Sequence, residues 1–173
     1  MKTLILGGVR SGKSRLAERL ARESGLEVVY IATAVAGDEE MRRRIDAHRR
    51  RRPAHWTTVE EPVRLAGALS AYARHDRCLL VECLTLWLSN LLCDAGAETL
   101  PRERDALLAA LPGLAGQVIF VSNEVGLGVI PAAFLSRRYC DEAGALHQRL
   151  AALCDRVILT VAGLPWALKG AAP

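Results

Sequence analysis

The sequence predicts an α/β fold of three layers, α/β/α, around a largely parallel central sheet. Two observations carry it. Short apolar runs of strand length alternate with helical patterns along the 173 residues, the order expected of a sheet built from strand–helix–strand units. The strand runs are also apolar throughout, as in sheets covered on both faces.

The elements follow in order. The first strand is Thr3-Leu4-Ile5-Leu6, and Gly7-Gly8-Val9-Arg10-Ser11-Gly12-Lys13-Ser14 comes directly after it, in the pattern G-x-x-x-x-G-K-[ST]. A strand that ends in such a loop and runs into a helix aims backbone N–H groups and the positive end of the helix dipole at one point. That point suits a nucleotide phosphate. Lys13 would reach the β- and γ-phosphates, and the Ser14 hydroxyl would complete the shell of a Mg²⁺ ion. A glycine-rich turn without a ligand is the bland alternative; the intact Gly12-Lys13-Ser14 end between strand and helix argues against it.

The first helix runs from Lys13 to about Glu23, with Leu16, Ala17, Leu20 and Ala21 at helical spacing and Gly25 as its stop. Val28 to Ala32 is a strand, closed by Thr33-Ala34 at the sheet edge that carries the phosphate loop. Asp38 to Arg52 reads as a helix. Asp38 is its N-cap, Glu39 and Glu40 occupy the first turn, the arginines gather toward the other end, and Pro53 stops it, so its charge order matches its dipole. Trp56 to Glu60 is extended, and Val63 to Ala73 is helical. Cys78 to Val81 is an apolar strand ending in Glu82, followed by an apolar helix from Leu84 to Leu92. Ala95 to Glu98 and Pro101 read as a loop, Arg102 to Leu111 as a helix, and Pro112 to Gly116 as a turn. Val118 to Val121 is a strand that ends in Ser122-Asn123-Glu124; the loop Val125 to Pro131, a long helix from Ala132 to Cys154 and a last strand, Val157 to Val161, complete the chain. With no internal repeat, linker or low-complexity segment, residues 1–173 read as one domain.

The five cysteines are odd in number and scattered, so neither a disulfide framework nor a zinc site is indicated. They read as buried, reduced thiols of a cytoplasmic protein. The N-terminus enters a strand at once without a leader, and no apolar run is long enough to span a bilayer. The net charge of +4 says less than its distribution, because seven arginines fall between Arg42 and Arg52. Such a cluster binds nucleic acid, lines an anionic substrate site or solvates a helix face. Aromatics at 5% without basic–aromatic interleaving favour a phosphate-handling site over a stacking surface for nucleic acid.

A phosphate loop alone says only that a nucleoside triphosphate binds. On the Asp38 to Arg52 helix, Met41, Ile45 and His48 share a face by steps of four and three. A helical histidine is ordinarily a packed or surface side chain. Here the arginines beside it would depress its pKa, keep a ring nitrogen free, and stabilise phosphate oxygens during attack. Glu82, at the end of a buried strand, stands where a P-loop enzyme directs a carboxylate at Mg²⁺, or is simply a strand-end acid.

Several stations together resemble a known family. They are GGVRSGKS at Gly7 to Ser14, YIATA at Tyr30 to Ala34, DEEMRRRIDAHRRRRPAHW at Asp38 to Trp56, TVEEP at Thr58 to Pro62, LLVECLTLWLSNLL at Leu79 to Leu92 and VSNEVGLGVIP at Val121 to Pro131. The chain is similar over essentially its whole length to the bifunctional adenosylcobinamide kinase and adenosylcobinamide-phosphate guanylyltransferase of cobalamin biosynthesis. The resemblance implies a RecA-like P-loop NTPase fold, ATP and GTP as substrates with Mg²⁺, adenosylcobinamide and its phosphate as the other substrates, and a homo-oligomer, commonly a trimer. It implies that His48 takes GMP from GTP as a covalent intermediate. His55 is the rival, but it lies beyond Pro53, and the family pattern places the nucleophile before the Arg-Pro pair. The same comparison sets Gly7, Gly8, Val9, Arg10, Ser11, Gly12, Lys13 and Ser14, then Ala32, Thr33 and Ala34, then Arg49, Arg50, Arg51 and Arg52, and finally Glu60 and Glu82 around GTP. The run of four arginines after His48 departs from the more mixed family pattern and leaves the share of each open.

Of the remaining residues, Trp87, Leu88, Leu91 and Leu92 read as core and Asn90 as a partner for backbone groups. Asn123 and Glu124 lie at a strand end where doubly wound sheets place ligands, with substrate or metal contact left open. His75 and His147 read as surface residues. Two rival readings stand: a small-molecule kinase in which His48 is structural, and a nucleotide-gated module whose Arg42 to Arg52 stripe contacts nucleic acid.

Overall fold

The computed structural model describes residues 1–37, 39–93 and 96–172; the side chains of Met41, Arg44, Ala47, His48, Arg51 and Ala97 lie outside that description. The expected N-cap Asp38 and the side chains of His48 and Arg51 are therefore not among the described parts.

The elements in chain order are β1 (Lys2–Gly7), α1 (Lys13–Glu23), β2 (Glu27–Ala32), α2 (Glu39–Arg51), β3 (Thr57–Glu60), α3 (Leu65–Tyr72), β4 (Arg77–Glu82), α4 (Leu84–Cys93), α5 (Gly96–Ala110), β5 (Gln117–Asn123), α6 (Phe134–Leu153), β6 (Arg156–Val161) and β7 (Leu164–Lys169). The strands form one seven-stranded sheet in the order β3-β2-β4-β5-β1-β6-β7. Every pairing is parallel except β6 with β7.

Strand side chains alternate between faces, and here both faces are covered, which is why the strand runs carry no polar alternation. Leu4, Ile31, Leu79, Val81 and Phe120 point to one side, under Leu65, Leu69, Trp87, Leu91, Leu107, Leu146 and Leu150 of α3 to α6. Ile5, Val28, Leu80, Ile119 and Ile158 point to the other, where Leu16, Ala17 and Ala21 of α1 meet them. Burying each large aliphatic side chain is worth about 1.5–3 kcal/mol, so the sheet is pinned from both sides near β1. No described residue of α2 belongs to either core cluster. Trp87, Leu88, Leu91 and Leu92 pack as the sequence suggested.

Two elements differ from expectation. The helix expected to begin at Arg102 begins at Gly96 and carries Pro101 inside it. A mid-helix proline loses one backbone hydrogen bond; Leu100, 2% exposed, and Leu107, fully buried, anchor the segment to the core and outweigh that loss. The sheet also gains β7, where the sequence suggested no further strand. Ala162 and Gly163, at φ 52° and 83°, form a two-residue turn suited to a hairpin. Pro165 argues against a central strand but is tolerated on the edge strand that β7 is. The cysteines are all free, but only Cys78 and Cys154 are buried; Cys93, at the end of α4, is exposed. No helix among the described residues is long and apolar enough to cross a membrane.

Parallel register decides where chemistry can gather. Gly7 pairs with Asn123, Ala32 with Glu82, and Glu82 with Val121. The C-terminal ends of β1, β2, β4 and β5 therefore share one edge of the sheet, the edge at which open α/β sheets bind ligands.

Candidate active site

The Gly7 to Ser14 loop leaves β1 at that edge, and its glycines are dictated by space. A Cβ on Gly7 would run into the Thr160 carbonyl, and Gly12, at φ 100°, would carry its Cβ 3.2 Å from the Gly163 Cα. Arg10 is also left-handed, at φ 56°. The loop is held by Ser11 N–H donating to Gly8 O at 3.3 Å and by Gly163 N–H, from the β6–β7 turn, donating to Ser11 O at 2.9 Å. Gly8, Val9 and Arg10 form its exposed tip, while Ser11 and Lys13 are buried.

Lys13 Nζ donates to Gly8 O at 2.6 Å, folding the ammonium into the loop. Burial lowers its pKa, and the Glu82 carboxylate opposes that shift. Ser14 Oγ donates to Glu82 Oε1 at 2.7 Å, although the two are 68 residues apart. A hydroxyl and a carboxylate meeting at one point are hard oxygen donors of the kind Mg²⁺ takes, with phosphates and water filling its other positions. The donor set fits that ion.

Behind Glu82, Thr33 Oγ1 accepts from Cys83 N–H at 2.9 Å and donates to Cys83 O at 2.7 Å. Asn90 Nδ2 donates to Thr33 O at 2.8 Å and to Pro62 O at 3.1 Å, so it satisfies backbone groups as expected. Ala32 and Ala34 flank Thr33 beside this junction. The Thr33 hydroxyl is fully buried, and it fixes the strand end that presents Glu82.

The arginines stand elsewhere. Arg49, Arg52, Pro53, Trp56, Thr58 and Glu60 line a cavity of about 420 Å³. Arg49 pairs with Glu60. Arg52 Nη1 donates to Thr58 Oγ1 at 3.1 Å, and its guanidinium lies 3.8 Å from the Tyr30 ring centroid. Arg50 is exposed. In the sheet β3 is four places from β1, a span of about 19 Å at the usual strand spacing. The structure thus brings Gly7 to Ser14, Glu82 and Ala32 to Ala34 together, and gathers Arg49, Arg52 and Glu60 toward the β3 side of the same edge, where Glu60 pairs with Ala32 and Ala32 with Glu82.

One residue departs from its sequence reading. His147, expected at the surface, is 6% exposed. Its Nε2 lies 2.8 Å from Ser122 Oγ and its Nδ1 3.9 Å from Glu124 Oε2. Burial lowers its pKa, against a smaller opposing effect of the Glu124 charge; the contact is that of a neutral imidazole beside a carboxylate. The available signal was spacing, since Ala143, His147 and Leu150 follow at steps of four and three on the buried face of α6. Glu124 N–H donates to Gly7 O at 2.9 Å, and Glu124 Oε1 accepts from Gly126 N–H at 2.6 Å.

Comparison with known proteins agrees over the whole length. The family model described as cobinamide kinase / cobinamide phosphate guanyltransferase matches residues 3–168. The bifunctional adenosylcobalamin biosynthesis protein CobP of Pseudomonas aeruginosa is 65% identical over 170 residues, 98% of each chain. CobU of Escherichia coli, described in the same words, is 40% identical over 182 residues, 98% of this chain and all of that one. Among solved structures, a protein from Pyrococcus horikoshii OT3 superposes with a TM-score of 0.57 at 10% identity, over 99% of this chain and 87% of its own. The RadB recombinase gives 0.53 at 18% identity, over 91% and 73%. These likenesses are of fold, and the fold is the RecA-like α/β/α arrangement.

Proposed function

Since this chain belongs to the cobinamide kinase / cobinamide phosphate guanyltransferase family, we propose that both reactions use the nucleotide cradle at Gly7 to Ser14 and that His48 carries GMP between donor and acceptor. The enzyme is a bifunctional transferase of adenosylcobalamin biosynthesis. The observation that carries the shared cradle is the junction of Lys13, Ser14 and Glu82, three groups that handle triphosphate charge brought to one sheet edge from β4 and the start of α1.

In the kinase step, the acceptor hydroxyl of adenosylcobinamide attacks the γ-phosphate of ATP or GTP. Lys13 leaves its Gly8 contact to stabilise charge on the transferring group. Ser14 and Glu82 would hold Mg²⁺, whose chemistry is to neutralise the β- and γ-phosphate oxygens. In the transferase step, the His48 imidazole forms a P–N bond at the α-phosphate of GTP and pyrophosphate leaves. A phosphate oxygen of adenosylcobinamide phosphate then attacks that phosphorus, His48 departs, and adenosylcobinamide-GDP is released.

The arginine cavity includes β3, two strands beyond Glu82 and four from β1, and a swing of α2 toward the cradle would bring His48 to the α-phosphate of the same bound GTP. Two observations support a helix free to do so. α2 contributes no described residue to the core, and Arg49 near its end pairs with Glu60 through exposed groups that exchange readily for phosphate oxygens.

The test is transfer of label from GTP labelled in its α-phosphate. Wild-type protein takes up the label, and His48→Ala takes up none while keeping its kinase activity. Label on the His48→Ala protein, or label mapped to His55, overturns the assignment.

A further inference from the structure

One cluster beside the cradle has been given no role in the two steps above. It is built from the end of β5 and the inner face of α6. β5 lies between β1 and β4, so the residue that follows it emerges between the strand ends bearing the phosphate loop and Glu82. That residue is Glu124. Its backbone is fixed to the first residue of the loop through Gly7 O, and one carboxylate oxygen is fixed by Gly126 N–H. The other oxygen faces His147 Nδ1 at 3.9 Å, beyond hydrogen-bond length but close enough for a directed electrostatic contact. The Glu124 side chain is 23% exposed, against 7% for His147, so the carboxylate stays reachable from solvent while the imidazole is covered.

Transfer of a phosphoryl group to an alcohol has to dispose of the hydroxyl proton, and kinases place a carboxylate for that purpose. Glu82 is engaged with Ser14, and Lys13 is a donor. Glu124 is a second carboxylate, presented from the strand next to β1. We propose that Glu124 is the general base of the kinase step, and that His147, backed by Ser122, is a positioning residue that holds the Glu124 carboxylate toward the cradle. As the hydroxyl oxygen bonds to the γ-phosphorus, its proton passes to Glu124 and the bond from the γ-phosphorus to the β–γ bridging oxygen breaks, releasing the nucleoside diphosphate. Glu124 then returns the proton to solvent. His147 suits its part because Nε2 lies 2.8 Å from the Ser122 hydroxyl, which can donate to it, and in that tautomer the buried ring would present Nδ1–H to the carboxylate without supplying a full charge that would reduce its basicity.

The inference rests on the reading that the kinase step uses the Gly7 to Ser14 cradle, and the enzyme's own second reaction serves as its control. Guanylylation of the protein needs the cradle but no proton from an alcohol. The experiment compares Glu124→Gln, Glu124→Asp and His147→Gln with wild type in two assays: steady-state phosphorylation of adenosylcobinamide by ATP, and label transfer to protein from α-labelled GTP. For Glu124→Gln the expected result is a fall in kinase kcat of about 100-fold to 10,000-fold, with the KM for ATP and the protein labelling near wild type. Glu124→Asp recovers part of the rate, and His147→Gln lowers kinase kcat by up to about 100-fold without raising the KM for ATP. A Glu124→Gln kinase rate within about threefold of wild type, far short of a general base's contribution, overturns the proposal. Equal loss of both reactions overturns it too, by making Glu124 structural. Absence of label on wild-type protein would instead sink the His48 reading, leaving kinase kcat and KM to decide on Glu124.

Discussion

Glu124 and His147 show how much a single contact can hide. Local spacing puts His147 on the apolar face of its helix but names no partner, and folding removes it from water and sets it against Ser122. Its titration then reports on the fold. Burial lowers its pKa from the ordinary value near 6.5, so between the two values the unfolded chain binds more protons than the native one, and stability rises with pH across that window. Thermal melting should therefore weaken as pH falls from about 6.5 toward the lowered native value, and His147→Gln should flatten that part of the profile. An unchanged slope in the variant would show that the acid sensitivity comes from other groups. At this scale the legible residues were those whose placement is set by near neighbours in sequence, such as Lys13 and Ser14 in the loop after β1. Glu82 was legible because a strand end announces itself. His147 was not, because its surroundings are supplied by β5, 25 residues away, and a helix periodicity names a face without naming what covers it.

Among the elements, α2 is the one whose sequence and packing pull in different directions. Its charge order suits a helix and its ends match the expected ones, but its described residues stay out of the core while α1 and α3 to α6 all bury a face. A helix whose described side chains stay out of the core has a low cost of local opening. Amide hydrogen exchange over residues 39–51 should slow markedly when GTP is added. Protection confined to the phosphate loop, with α2 unchanged, would mean a fixed helix. The elements misread from sequence failed for one shared reason. Pro101 inside α5 and Pro165 in β7 are local signals of interruption, and in both places a distant partner prevails: Leu100 and Leu107 in the core for α5, and the β6 ladder for β7. Sequence reasoning weighs the proline at its own position and has no view of the partner.

For the molecule as a whole, the sheet order governs what can meet. Placing β1 between β5 and β6 makes it an interior strand, and it brings Asn123, Thr160 and Gly163 around a loop that ends at residue 14. That arrangement imposes a schedule on synthesis. The cradle leaves the ribosome well before these partners, so Ser11 O waits for the N–H of Gly163 and Gly7 waits for the strand that holds Thr160. A nascent chain stalled before residue 156 carries the whole nucleotide motif and lacks the neighbours that shape it. Such ribosome-bound chains should fail to stay on immobilised GTP, while chains stalled after the last strand has cleared the exit tunnel should be retained.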